Sequence, residues 1–174
     1  DWSSDVCSSD LGYVLVANPA FPGNNVAELV QQAKAQPGKL NYSSGGNGSP
    51  QHIGMALVAN RANIDITHVP YKGATPAAVA VAAGEVDAAM QGLGTVTALI
   101  QSGRLRLLAV STIAPLAQYP SVPTFSEAGM KDFTFNSWFA MVAPAGTPKA
   151  IVERLNDEVK KPSTTQPRVT NYCH

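Results

Sequence analysis

Apolar and polar residues follow two rhythms along this chain, a period near two and a period near 3.6, and they alternate. Residues 13–17 (YVLVA) are a β-branched run closed by Asn18-Pro19, which reads as a strand and a turn. Val26, Leu29, Val30 and Ala33 fall at helical spacing, and Pro37-Gly38 ends that helix. Residues 40–43 read as a strand. Residues 44–49 (SGGNGS) form a Gly-rich loop, and Pro50 suits the first turn of a helix whose apolar face is Ile53, Leu57 and Val58. The unit then repeats. Residues 64–69 are a strand and 70–73 a turn. Thr75 is placed to cap a helix that has Pro76 in its first turn and ends at Gly84. Residues 86–90 are a strand, 95–101 a helix closed by Gly103, and 105–111 a Leu/Val-rich strand. Beyond Ser111 the rhythm breaks. Residues 119–129 are a Pro-punctuated connection with a short helix, and 133–135 and 138–142 are strand-like. Thr147 would cap a last helix, with Pro148 at its first position and Ile151, Val152, Leu155 and Val159 as its inner face. Strands alternating with helices predict an α/β layer structure with a largely parallel sheet.

Composition narrows the function classes. Of 174 residues, 12 are Lys or Arg and 12 are Asp or Glu, so the formal charge is zero. No basic footprint for nucleic acid is present. Apolar residues make up 45%, enough for a core. The longest apolar-rich run, 75–89, is broken by Gly84, Glu85 and Asp87, and a membrane span takes about 20 apolar residues. Direct membrane insertion is therefore not expected. Residues 1–11 (DWSSDVCSSDL) resemble the conceptual translation of a sequencing-library adapter, and 162–174 break off a helical pattern. Both are set aside as non-native or disordered segments. The only cysteines, Cys7 and Cys173, go with them, so a disulfide framework, a Cys-ligated zinc site and a cysteine nucleophile are not expected in the body. No metal-ligand spacing is present, and no cofactor is expected.

The loops carry the chemistry. Ser43, Ser44, Gly45, Gly46, Asn47, Gly48 and Ser49 lie between a strand and a helix N-terminus. There, close-approaching backbone, N–H groups and the helix dipole favour an anion. The loop holds no charge, and neither a P-loop lysine nor a dinucleotide fingerprint follows it. A tight turn without a ligand is the plain alternative. A second loop, 70–75, offers Tyr71, Gly73 and Thr75 as further donors, with Lys72 read as a solvated surface residue. A third, 91–95 (QGLGT), begins with Gln91. Three strand ends that lead into small polar loops match the place where open α/β sheets bind ligands. His52 stands in the first turn after the Gly-rich loop. Ser49, His52 and Asp87 can be written as a triad, but no nucleophile elbow accompanies them. Trp138 is either a core residue or a cleft wall.

Ordered motifs then point to a family. YSSGGNGSPQH (42–52), HVPYKGATPA (68–77), GEVDAAM (84–90), RLRLLAVST (104–112), PSVPTFSEAG (120–129) and SWFAMVAPAGTPKAIVERLN (137–156) resemble the substrate-binding proteins of tripartite tricarboxylate transporters, the Bug/TctC family. The resemblance implies a type II periplasmic-binding-protein (Venus flytrap) fold, present here as one complete lobe plus part of the other. It implies a monomeric, non-enzymatic periplasmic receptor that captures a small organic carboxylate and delivers it to membrane permease subunits. Mapped on it, 13–17 is a hinge-crossing strand, 18–133 the second, ligand-binding lobe, and 134–161 a return strand with part of the first lobe. The family's first-lobe half and export signal would precede Tyr13. The family often has Asp where Gln91 stands, and the neutral amide favours a simple organic acid over a ligand bearing an ammonium group. An enzyme on the same scaffold and the effector lobe of a transcription regulator are the competing readings.

Overall fold

The structure is a computed structural model and describes residues 11–137 and 142–160. Two compact units divide the chain: Gly12–Asn136 forms one, and Asp1–Leu11 with Ser137–His174 the other.

The first unit is built on a sheet of order β3-β2-β4-β1-β5, where β1 is Leu11–Ala17, β2 Asn41–Ser44, β3 Thr67–Pro70, β4 Ala88–Gly92 and β5 Arg106–Val110. The two-residue β6 (Asn136–Ser137) pairs with β1 off that path. β2, β3 and β4 are parallel, as the alternating pattern predicts. β1 differs: it lies between β4 and β5 and runs antiparallel to both, with Tyr13 opposite Gly92 and Ala17 opposite Ala88. The 18–25 loop and α1 join β1 to β2, which is not its neighbour, so no single βα crossover links β1 to β4 or β5 and fixes a parallel sense. Its period of two serves both faces. Tyr13, Leu15 and Ala17 join Met90, Leu108, Leu29 and Met55 in one core. Val14 and Val16 join Ala89, Val81, Val96 and Val110 in the other.

The helices begin and end on local signals. α1 (Val26–Ala35) opens with a reciprocal cap: Asn25 accepts the Glu28 N–H through its side chain, and the Glu28 carboxylate accepts from the Asn24 N–H at 2.8 Å. α2 (Pro50–Ala62) is capped by Ser49, has Pro50 in its first turn, and closes on Asn63 at φ 51. α3 (Ala74–Ala83) buries Ala77, Ala78, Ala80 and Val81 and ends at Gly84. α4 (Leu93–Gln101) follows β4 directly.

Several expectations are corrected. Ile53, expected on the inner face of α2, is 52% exposed, while Met55 and Val58 are fully buried. β3 starts at Thr67, because Asn63 caps α2 and the Ile64 N–H still bonds back to Ala59 O. Thr75 lies inside α3, whose N-cap is Gly73 at φ 121 with no side-chain cap bond; that φ suits glycine. The connection 119–129 forms turns, not a helix. It is anchored by Phe125 and Phe133, buried with ring centroids 4.4 Å apart. Pro120 and Pro123 remove N–H donors that a helix there would need.

In the second unit the described helix is α5 (Lys149–Lys160). Thr147 does not cap it: its hydroxyl donates to Pro144 O, and Pro148 O accepts from Val152 N. Ile151, Val152 and Leu155, its apolar face by spacing, are exposed by 51%, 40% and 44%. Trp138, the 138–142 strand apart from Val142, the side chain of Val159, and both cysteines lie outside the described residues. No helix among the described residues is long and apolar enough to cross a membrane.

Candidate functional site

β2, β3 and β4 end at one edge of the sheet and lead into α2, α3 and α4, so three helix N-termini open at that edge. The first loop is drawn tight against the second. Tyr71 N donates to Ser44 O at 2.9 Å, and Gly73 N to Gly45 O at 3.2 Å. A Cβ on Gly45 would stand 3.2 Å from both Ala74 N and Gly73 C, which is why the contact needs glycine.

Within the 44–49 loop the expected donors are mostly engaged. The Gly46 N–H bonds Ser44 Oγ at 3.1 Å, and the Gly48 N–H bonds His52 Nδ1 at 3.1 Å. Ser49 N donates to Gly46 O, and Ser49 Oγ accepts from His52 N as the cap of α2. Ser43 is fully buried, and its hydroxyl donates to Ala77 O at 2.8 Å, so it ties β2 to α3. Tyr71 also departs from expectation: its hydroxyl donates to Glu85 Oε2 at 3.1 Å, and burial followed by that bond and charge pushes its pKa upward. The donors that remain are those of the first helical turns. α3 and α4 have no side-chain cap. The N–H groups of Ala74 and Thr75, and of Leu93, Gly94 and Thr95, therefore have no intrahelical or capping acceptor. With the Asn47 N–H and the α2 dipole they make a neutral, anion-attracting edge.

The third loop is absent. β4 runs through Gln91 and Gly92 straight into α4, whose N-cap is Gly92. Gln91 is fully buried opposite Val14, and neither amide atom has a hydrogen-bond partner among the described residues. A buried amide left unpaired costs about 1–3 kcal/mol.

Sequence reasoning missed one cluster. Tyr42 and His68 face each other across β2 and β3, and their rings stack at 4.9 Å. His52 stacks on His68 at 4.0 Å. His68 Nε2 lies 2.6 Å from Ser44 Oγ. Burial, then the charge of His52, lowers the His68 pKa; burial raises that of Tyr42. The β2–β3 register is the signal that pairs them, and a strand pattern alone does not reveal register. The Ser49/His52/Asp87 triad does not form: Asp87 Oδ2 accepts from Asn41 N at 2.8 Å, at the start of β2 and the opposite edge. Ser44 beside His68 is fully buried, which withholds it from a substrate. Among the described residues no cluster of three or more His, Cys, Asp or Glu could hold a metal.

The architecture is that of the periplasmic binding proteins, an α/β receptor class. A family model described as the tripartite tricarboxylate transporter family receptor matches residues 7–174, and the chain belongs to that family. It is 37% identical over 161 residues to a UPF0065 protein of Bordetella pertussis, covering 92% of this chain and 50% of that protein. Among solved structures, R. palustris Rpa4515 with adipate matches with a TM-score of 0.83 and 32% identity, over 91% of this chain and 55% of that one. MatC from Rhodopseudomonas palustris with bound malate matches with a TM-score of 0.80 and 28% identity, over 90% and 54%. The chain spans about half the length of the curated relatives it matches. The family is one of receptors, not enzymes.

Proposed function

We propose that this chain carries one ligand-binding half of a periplasmic receptor for a small organic carboxylate, which it hands to the membrane permease subunits of a tripartite transporter. The observation that carries this reading is the edge where α2, α3 and α4 all begin, with the first turns of α3 and α4 uncapped. A carboxylate there accepts from backbone N–H groups and is favoured by the helix dipoles, without a charged side chain. The relatives bound to adipate and malate support the ligand class. On this reading 18–133 is the ligand-binding lobe, 13–17 a hinge-crossing strand and 134–161 part of the opposite lobe, and the receptor works as a monomer. The 44–49 loop, Gly73 and Thr75 contribute through backbone and shape, and Trp138 belongs to the same candidate set. Gln91, buried and neutral, places no carboxylate behind that edge for an ammonium group, which favours acids without one.

Amide NMR titration of the chain with adipate, malate and aspartate tests this. Saturable shifts at residues 45–49, 74–75 and 93–95 are expected for adipate and malate. One lobe alone lacks closure, so affinity should be no tighter than millimolar, about 4 kcal/mol. Aspartate should bind more weakly. Absence of shifts with every acid would overturn the reading.

A further inference from the structure

His52, His68 and Tyr42 reach one cluster from α2, β3 and β2. The two imidazoles are 4.0 Å apart and 4° from parallel, and Tyr42 packs 4.9 Å from His68 and 6.5 Å from His52. Each imidazole holds a different point of the 44–49 loop. His52 Nδ1 accepts the Gly48 N–H, so that nitrogen carries a lone pair. His68 Nε2 bonds Ser44 Oγ, which also accepts the Gly46 N–H. Parallel rings this close cannot aim two lone pairs at one metal ion. They can be titrated.

Two imidazolium charges at this distance repel. His52 also sits in the first turn of α2, where the helix dipole opposes a cation. Among the described residues no carboxylate is bonded to either ring. β2 presents only Tyr42 as a titratable group. α2 carries one other charged residue, Arg61, in its last turn, where it bonds Lys131 O. β3, α3 and β4 contain no acid or base besides His68. In the 70–73 turn, Tyr71 is bonded to Glu85, and Lys72 completes the set. Burial and the His52 charge already keep His68 below the ordinary imidazole range. An anion at the adjoining helix N-termini would relieve both penalties.

We propose that the stacked histidines take up one proton beyond their two neutral N–H groups, together with the carboxylate, so that the site binds an acid anion and a proton as one unit. This rests on the receptor reading above. The proton comes from solution and bonds to His52 Nδ1. The hydrogen bond from Gly48 N–H to that nitrogen breaks, and the released N–H becomes a donor for the anion. No other bond changes. Because linkage is reciprocal, lower pH tightens ligand binding and ligand raises the pair's proton affinity.

Calorimetry of the chain with adipate and malate, from pH 5.5 to 8 in two buffers of different ionisation enthalpy, reads the linkage. Binding about tenfold tighter at pH 5.5 than at pH 7.5 is expected, with net proton uptake near neutrality. His52→Asn keeps an acceptor for Gly48 but cannot be protonated, and should remove that dependence. Equal affinity across the range, or release of protons, would overturn the proposal. A ligand-free arm follows the imidazole nitrogens and the Gly48 amide by NMR. The Gly48 amide should titrate with the imidazoles, and His52→Asn should raise the His68 midpoint. A Gly48 amide that ignores them refutes the device whether or not any acid binds. If neither acid binds at any pH while Gly48 still titrates, the receptor reading fails and the proton uptake falls with it.

Discussion

The two edges of the sheet are built on opposite rules. At the edge where β2, β3 and β4 begin, polar groups satisfy one another. Arg106 donates through Nη1 to Gly23 O and Asn24 Oδ1, each at 2.8 Å, and through Nη2 to Pro19 O. Asp87 accepts from Asn41 N, and Asn18 Nδ2 donates to Val81 O at 2.7 Å. At the edge where those strands end, loops are pinned by a glycine contact and the N-termini of α3 and α4 remain without a side-chain cap. The first edge closes its hydrogen bonds inside the fold and holds the 18–25 loop in place. The second also engages its polar side chains within the fold, but leaves backbone N–H groups in the first turns of α3 and α4 without a protein acceptor.

The largest expected effect tests the closed edge. Arg106→Ala leaves Gly23 O and Asn24 Oδ1 without their donor, and hydrogen bonds to a charged group contribute about 1.5–3 kcal/mol. Urea unfolding should show a loss of about 2–3 kcal/mol at most, since Arg106 is partly solvated. Carboxylate-induced shifts at the other edge should persist in the folded fraction. Loss of those shifts without loss of stability would erase the distinction between the edges.

The legibility of the sequence divides in the same way. α1 and α2 were readable because their signals are local: apolar residues at helical spacing, Pro37-Gly38 after the first and Pro50 at the start of the second. The antiparallel β1 was not, because YVLVA specifies a buried strand on either sense and only its neighbours in space choose one. In the candidate site, the loop positions were legible and their hydrogen bonds were not. Ser43, Gly46, Gly48 and Tyr71 were expected to offer donors, and each spends its own on another part of the chain. The partners of three of these, Ala77 on α3, His52 on α2 and Glu85 in the turn before β4, lie outside the loop's own motif. The β2–β3 register, which no motif carries, sets His68 beside Tyr42 and Ser44.

Gly45→Ala is expected to have the next largest effect, and it probes the open edge. The added methyl would press on the backbone of Gly73 and Ala74, which cannot yield as a side-chain tip can. The 44–49 and 70–75 loops must move apart, at a cost of about 1–2 kcal/mol in stability. The carboxylate affinity read by NMR should fall at least tenfold, about 1.4 kcal/mol. A stability loss with unchanged affinity would mean that the loop contact serves folding alone, and the two edges would then be alike.

The smallest effect comes from His68 and separates the edges by pH. Its folded-state pKa is lowered, so the unfolded chain binds the proton more readily. Between the ordinary imidazole value, about 6.5, and the lower folded value, the unfolded state carries more protons. Stability must then fall as pH drops through that interval and stay unaffected by this group above it. Unfolding measured at intervals from pH 7.5 down to 5 should show that decline, and His68→Phe should flatten it. A variant that loses stability equally at every pH would assign His68 to packing. A decline that survives the substitution would move the titrating group elsewhere.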